Sequence, residues 1–358
     1  VRAGARWRWD GGHVQASYSH YANDYGIFSG IVSEGPRQFF EQLESEIPNG
    51  IETFRYGWDI DRPFSTVRHD VAQLRTRVTL SKASDLTLTY AFQANDRREF
   101  DRGRERDRNR AQAIFLLDTH TLDAVVESRL DDIELEYGAT GQVQDNDFGG
   151  NPFIADYTMV GAAGFFIARY LAQRWELELG ARADYQYYDT IRPGRTNVAP
   201  DIREELDFFA FTATGGLIYD LGGGWTLRGQ LATASRNPSP DELFADGPTV
   251  GTASVIRGDS SLDTETTLNA QASVGFETDR ASVSLTGYGH YISDYIFLAP
   301  QIGSDGELRV TQTIRGAFPV FAFQQVDAGF VGFDGAARAR LAPWLELKTT
   351  LSVVRARD

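Results

Sequence analysis

The sequence predicts an all-β protein: a fragment of an antiparallel transmembrane β-barrel with about fourteen long strands. Three observations predict this fold. Apolar and polar residues alternate over long segments, and short polar turns alternate with long connections along the chain. In addition, no apolar run approaches the roughly 20 residues that a transmembrane helix needs.

The clearest alternation runs from Arg174 to Asp189. Successive side chains of a strand point to opposite faces, so a period of two separates an apolar face from a charged one. One face would carry Trp175, Leu177, Leu179, Ala181, Ala183, Tyr185 and Tyr187, and the other Glu176, Glu178, Gly180, Arg182, Asp184 and Gln186. Segments 86–93, 132–139, 267–276 and 345–352 repeat the pattern. Many strands would have about 12–16 residues, which is longer than the usual strand of a globular sheet and suits a tilted barrel strand.

The connections between these segments alternate in length without interruption. Short polar turns are expected at residues 10–12, 81–85, 129–132, 171–173, 221–224, 277–280 and 341–343. Long connections are expected at 25–62, 100–112, 146–154, 189–204, 235–263 and 297–320, with a short helical turn only at Phe39–Ile47. Outer-membrane barrels have this asymmetry, with short periplasmic turns and long outside loops. The fold of a soluble β-sandwich does not require it.

Composition excludes several classes of function. The net charge of −15 makes nucleic-acid binding unexpected, and the absence of cysteine excludes thiolate metal sites and cysteine nucleophiles. The five histidines have no metal-motif spacing, and no nucleophile–base arrangement is visible. We therefore expect no enzyme activity, no resident cofactor and no metal site.

Four residues are candidate ligand contacts. His69 and His290 fall on polar faces of their strands, where an imidazole suits a metal or heme ligand. Arg97 and Arg98 begin the arginine-rich segment Asp96–Arg110, expected to be an outside loop, and guanidinium groups bind carboxylate and phosphate bidentately. The alternatives are ordinary polar wall residues and a loop whose own acidic residues neutralise it. Asp145, Asp147 and Asp156 are compatible with calcium, but a simple turn explains them better.

Segment Ala232–Leu298 contains three motifs in order. Their residues are Ser235-Arg236-x-Pro238-Ser239 followed by Glu242-Leu243-Phe244, then Leu262-Asp263-x-Glu265-Thr266, then Tyr291-x-x-Asp294-Tyr295-Ile296. Together they resemble the C-terminal half of TonB-dependent outer-membrane receptors, and Tyr18–Gly30 and Phe318–Gly332 resemble further parts of that family. Arg236, Pro238, Glu242, Leu243, Glu265, Asp294 and Tyr295 match the family's motifs, and we expect their role to be structural.

The resemblance implies a larger parent protein in the bacterial outer membrane. Such receptors have a barrel of about 22 strands filled by an N-terminal plug. Residues 1–358 would be a partial barrel domain without plug or final strands. Implied partners are outer-membrane lipid and lipopolysaccharide, the TonB complex acting through the missing plug, and a ligand such as a ferric siderophore, another metal chelate, heme or a vitamin. The main alternative is a passive porin or channel, and a further one is a soluble all-β binding module.

Overall fold

A computed structural model of the chain describes residues 1–27, 35–47, 51, 57, 59–100, 110–150, 153–192, 201–249, 254–313 and 316–357. Strands dominate these residues. They are β1 (Arg2–Trp9), β2 (Gly12–Gly26), β3 (Phe64–Ser81), β4 (Ser84–Phe100), β5 (Ala113–Leu130), β6 (Ile133–Gly150), β7 (Asp156–Leu171), β8 (Trp175–Arg192), β9 (Ile202–Gly222), β10 (Trp225–Arg236), β11 (Asp246–Thr249), β12 (Ser254–Arg257), β13 (Glu265–Glu277), β14 (Ala281–Pro300), β15 (Val310–Thr313), β16 (Gly316–Ala342) and β17 (Leu345–Arg357). Two short helices, α1 (Pro36–Leu43) and α2 (Pro240–Phe244), lie in connections.

The long strands form one antiparallel meander. Each strand from β1 to β10 pairs with the next, and the order continues through β13, β14, β16 and β17. Strands β11, β12 and β15 are short additions, and β12 joins β16 in a parallel pairing. No pairing among the described residues links β1 to β17, so the sheet is open there. The all-β prediction is confirmed, and closure into a barrel of about 22 strands stays a prediction.

Short turns and long connections occupy opposite ends of the meander. Two to three residues join β1 to β2, β3 to β4, β5 to β6, β7 to β8, β9 to β10, β13 to β14 and β16 to β17. The turn before β10 requires glycine at Gly224, which has a φ of +87° and whose added Cβ would lie 2.2 Å from the carbonyl oxygen of Glu277. We call these two ends the turn end and the loop end.

Several strands reach further towards the loop end than the sequence suggested. Strand β4 continues to Phe100 and pairs there with the start of β5, while β6 continues to Gly150 and β14 to Pro300. Residues 96–100 of β4 are mostly charged and resemble a loop, but β3 and β5 supply their backbone partners. Arg97 and Arg98 therefore lie in β4, which corrects their expected position in a loop.

The register gives the sheet two different faces. Helix α2 packs on one face, which we call the inner face; the opposite, outer face carries rows of exposed apolar side chains. On β8 and β9, for example, Leu179 is 52% exposed and Phe209 is 62% exposed. Trp9, Trp175 and Trp225 mark the turn end of this apolar belt. Outer-face aspartates lie beyond the belt at the loop end, and they include Asp70, Asp118, Asp145, Asp189 and Asp207.

The main core lies on the inner face near the loop end. It combines side chains of β7, β8, β9 and β14, and of the residue before β7, with the connection between β10 and β13. Its buried members are Ala155, Tyr157, Met159, Tyr188, Phe208, Leu243, Phe244, Leu262 and Ile296. A smaller cluster contains Val255, Phe318 and Val320. No helix within the described parts of the chain is long and apolar enough to cross a membrane.

Candidate ligand-binding region

Arg236 holds both ends of the β10–β13 connection together. Its Nη1 donates to Glu242 Oε2 at 2.7 Å and its Nη2 to Glu265 Oε2 at 3.1 Å. Glu242 also accepts a hydrogen bond from the Ser239 amide at 2.7 Å, and Glu265 accepts one from the Ile296 amide at 2.9 Å. The first and second sequence motifs thus meet in one ion network that joins β10, α2, β13 and β14.

Helix α2 directs its apolar side chains into the core. Pro238 is fully buried, and Ser239 and Glu242 form a capping box at the start of the helix. Leu243 and Phe244 follow and are 0% and 1% exposed. Because this short helix lies against the inner face, the connection covers part of the sheet instead of extending away from it.

Further polar contacts attach the same connection to neighbouring strands. Asn237 Nδ2 donates to Gln186 Oε1 on β8 at 3.1 Å, and the Thr264 hydroxyl donates to Asn237 Oδ1 at 3.0 Å. The Asp246 amide donates to the carbonyl oxygen of Phe153 at 2.7 Å. These bonds fix the connection laterally, so its apolar side chains meet the core in one position.

The third motif forms a bulge in β14. The register between β14 and β16 shifts between Ile292 and Tyr295, and Asp294 has a φ of +58°. Gln325 Nε2 donates to the carbonyl oxygen of Asp294 at 2.9 Å, which holds the bulge against β16. Tyr295 is 38% exposed beside this bulge.

The ion network sets the charge of Glu242. Burial alone would raise the pKa of this carboxyl group, but hydrogen bonds from the Arg236 guanidinium and from Ser239 outweigh burial, so the pKa lies below its usual range. Glu242 is therefore ionised at neutral pH, and its negative charge is already matched by Arg236.

His69 and Arg97 lie near each other on the inner face. The register pairs His69 of β3 with Asn95 of β4, and Asn95 Nδ2 lies 3.3 Å from His69 Nδ1. Two residues further along β4, Arg97 Nη2 donates to Glu99 Oε1 at 2.7 Å, and its guanidinium lies 5.7 Å from the ring centre of Phe115. The Nε of Arg97 is buried without a partner, so its N–H is available to donate a hydrogen bond.

Arg98 and His290 are separate from that pair. Arg98 lies on the outer face, where Asp96 accepts its hydrogen bonds at 2.9 and 2.8 Å. His290 lies on the inner face of β14, opposite Asn269 and Phe330, and its ring centre is 5.3 Å from that of Tyr288. The structure thus brings together two of the four candidate ligand contacts.

Two tyrosines of the core were not identified from the sequence. Tyr157 is 7% exposed and Tyr188 is 3% exposed, and both rings contact Phe244. Strict alternation along β8 would have identified Tyr188, which falls on the same side as Glu176 and Glu178. Tyr18, Tyr185 and Tyr291 do lie on the outer face.

The inner face near the loop end can bind a ligand through mixed polar and aromatic contacts. His69, Asn95 and Arg97 supply donors and acceptors on one side, and the connection that contains α2 forms a fixed surface on another. Within the described residues, no group of three or more histidine, aspartate or glutamate side chains is arranged to hold a metal ion.

Comparison with known proteins identifies the architecture. A family model described as "TonB dependent receptor-like, beta-barrel" matches residues 2–356. No curated protein matches the sequence.

Solved structures with the same fold cover nearly all of this chain. The FrpB iron transporter from Neisseria meningitidis (F3-3 variant) is 14% identical with a TM-score of 0.62, over 99% of this chain and 51% of that one. The siderophore receptor PiuA from Acinetobacter baumannii is 12% identical with a TM-score of 0.65, over 99% and 56%. The copper transporter OprC is 14% identical with a TM-score of 0.60, over 99% and 60%. The chain thus spans little more than half the length of these proteins.

Proposed function

This chain belongs to the TonB-dependent receptor-like β-barrel family, and we propose that it is the barrel part of a receptor for energised uptake across the bacterial outer membrane. Proteins of this family are transporters and not enzymes. The membrane location is supported by the apolar outer belt, which would face lipid, and by the strict alternation of turns and long connections.

The observation that carries the proposal is the anchored β10–β13 connection. A connection held by Arg236 and packed through Leu243 and Phe244 covers part of the inner face at the loop end. A connection fixed in this way offers a preformed surface, which suits a receptor that holds its ligand.

The proposed ligand is a scarce nutrient: a ferric siderophore, another metal chelate, heme or a vitamin. Support comes from structural neighbours described as iron, copper and siderophore transporters or receptors. His69, Arg97 and His290 are the residues that we propose as ligand contacts, because all three lie on the inner face. Arg98 is no longer included, because it faces outward.

The proposed partners follow from the location and the family. Outer-membrane lipid and lipopolysaccharide would contact the apolar belt and the outer-face residues beyond it. The TonB complex would supply energy through a plug domain of the parent protein. We expect no nucleic-acid partner and no bound cofactor for this chain.

Uptake by whole cells tests the proposal. A strain without its own receptors would receive the parent gene and be offered radiolabelled ferric siderophores, heme and cobalamin, with and without a functional TonB. We expect accumulation of one ligand class that disappears without TonB. Accumulation that is unaffected by loss of TonB or by an uncoupler would instead support the passive channel.

A further inference from the structure

A groove interrupts the outer face in the turn-end half of the apolar belt. Its floor is one register row of small residues: Gly229 on β10, Ala272 on β13 and Gly287 on β14. The same row continues into Leu217 on β9 and Phe333 on β16, and these larger side chains form the two sides. The groove has a volume of 660 Å³, which is the size of a small-molecule site.

The lining of this groove is almost entirely apolar. At the turn end the lining residues are Trp175, Tyr219, Leu227, Val274 and Leu285, which occupy the adjacent row. The ring centres of Trp175 and Tyr219 lie 4.2 Å apart. Arg228 and Ser273 complete the lining, but the register places both on the inner face. Among these lining residues, none brings a charge to the outer face, so an occupant must be apolar.

The packing of this chain does not require the two glycines of the floor. A Cβ at Gly229 or Gly287 would meet no atom within 4 Å, and neither residue has a positive φ. The register is also regular at both positions, so neither glycine serves a bulge. Glycine inside a strand costs stability, and it often marks a place where another molecule approaches the backbone closely. The floor is therefore open to a molecule from outside the chain.

The groove continues along β13 and β14 towards the middle of the belt. In the next outer-face row, Ala270 and Gly289 are again small and lie opposite each other. Their neighbours in that row are Leu231 and Val331, which are both exposed and extend the two sides. The small residues thus form a continuous trough between two apolar ridges.

The length of the trough matches one leaflet of a bilayer. It runs from Val274 at the turn end to the row of Leu268 and Tyr291, whose larger side chains end it. The distance from residue 268 to residue 274 along β13 is roughly 20 Å. Because barrel strands tilt by roughly 40°, the trough would rise by about 15 Å, which is about half of a hydrocarbon core of about 30 Å.

We propose that this groove binds one acyl chain of a phospholipid in the periplasmic leaflet. The inference rests on the proposed membrane location, in which the short turns are periplasmic and the outer face meets lipid. The source is phospholipid and not lipopolysaccharide, because the groove lies in the turn-end half. Within a membrane, association depends on van der Waals packing, so a trough that follows the shape of a chain retains it better than a flat wall does.

Native mass spectrometry of the full chain tests this site. The chain would be refolded into vesicles of phosphatidylethanolamine and phosphatidylglycerol and then extracted into a mild detergent. We expect the parent chain to retain one phospholipid and the double variant Gly229→Leu, Gly287→Leu to lose it, because leucine side chains fill the floor. The matched control is Gly141→Leu on β6, another outer-face glycine where a Cβ meets no atom within 4 Å, which should retain the lipid.

A second variant lowers one side of the groove and keeps both glycines. Phe333→Ala removes the ring that borders Gly287 and should also weaken retention. Glycine weakens the interior of a strand, so the leucine variants should be at least as stable as the parent chain. Circular dichroism and the heat-dependent shift in gel mobility measure this stability and separate loss of lipid from loss of the fold.

Several outcomes would overturn the site. These are a folded parent chain without phospholipid, unchanged retention in both the double variant and Phe333→Ala, or equal loss in Gly141→Leu. A mass of two chains in place of the lipid adduct would show that a second copy occupies the groove. A parent chain that does not enter the vesicles would overturn the proposed membrane location as well, whereas insertion without retained lipid overturns the groove alone.

Discussion

Arg236 Nη1 lies 2.7 Å from Glu242 Oε2, and the second terminal nitrogen of the same arginine reaches Glu265. One guanidinium therefore joins the two ends of the β10–β13 connection. The backbone amides of Ser239 and Ile296 donate to the same two carboxylate oxygens. Loss of any one of these three side chains would leave partly buried polar groups without partners, which destabilises more than the pair itself stabilises.

The first prediction concerns Glu242→Gln, which keeps the shape of the side chain and removes its charge. We expect the β10–β13 connection to lose about 1–2 kcal/mol of local stability, a value reduced for the partial exposure of Arg236. Hydrogen exchange of the amides of residues 239–247 measures this loss. Glu307→Gln, in an exposed position of another connection, is the control and should leave exchange unchanged. Equal protection in both variants would show that the ion network is not an anchor.

A second prediction follows from the lowered pKa of Glu242. The folded state favours the ionised carboxylate, so this contribution to stability is complete above the ordinary glutamate pKa of 4.5 and disappears as pH falls through the lower folded value. Amide exchange in the connection should accelerate in that acid range after correction for the intrinsic exchange rate. The Glu242→Gln variant should lack this pH dependence, and its persistence would assign the transition to another group.

The sequence predicted the meander well because its signals are local. Alternation along Arg174–Asp189 reports directly on the two faces of β8, and each turn or connection is visible in composition. Strand ends were less predictable. Asp96 to Phe100 look like a loop by composition, yet they pair with β5, because a ladder depends on a partner strand that local sequence does not reveal.

The third prediction concerns the packing of Phe244, whose ring centre lies 6.1 Å from Tyr157 and 5.9 Å from Tyr188. Phe244→Ala should destabilise the connection by about 3–5 kcal/mol, because it leaves a cavity in a buried cluster. Limited proteolysis of the connection provides the measurement. Phe209→Ala removes the same ring from the outer face, where Phe209 is 62% exposed, and should not change cleavage there. Equal cleavage of the two variants would contradict a packed core at this position.

The candidate ligand contacts were harder to predict than the fold. The alternation of faces along a strand placed His69 and His290 on the inner face. Arg97 and Arg98 were grouped by their composition, although adjacent residues of a strand point to opposite faces. The contact between His69 and Asn95 depends on the register of two strands. Likewise, no local signal indicates that α2 folds back onto β7 and β8, since that arrangement depends on contacts distant in sequence.

The fourth prediction tests which face meets lipid, using two neighbouring positions on β9. The register places Ala213 on the outer face and Thr214 on the inner face, both near the middle of the apolar belt. If the outer face is buried in a bilayer, Ala213→Arg should destabilise the protein by about 2–4 kcal/mol, the cost of an arginine near the bilayer midplane. Thr214→Arg should cost much less, because its side chain reaches the polar inner side. Reversible unfolding in phospholipid vesicles measures both free energies, and a larger cost at Thr214 would reverse the assignment of the two faces.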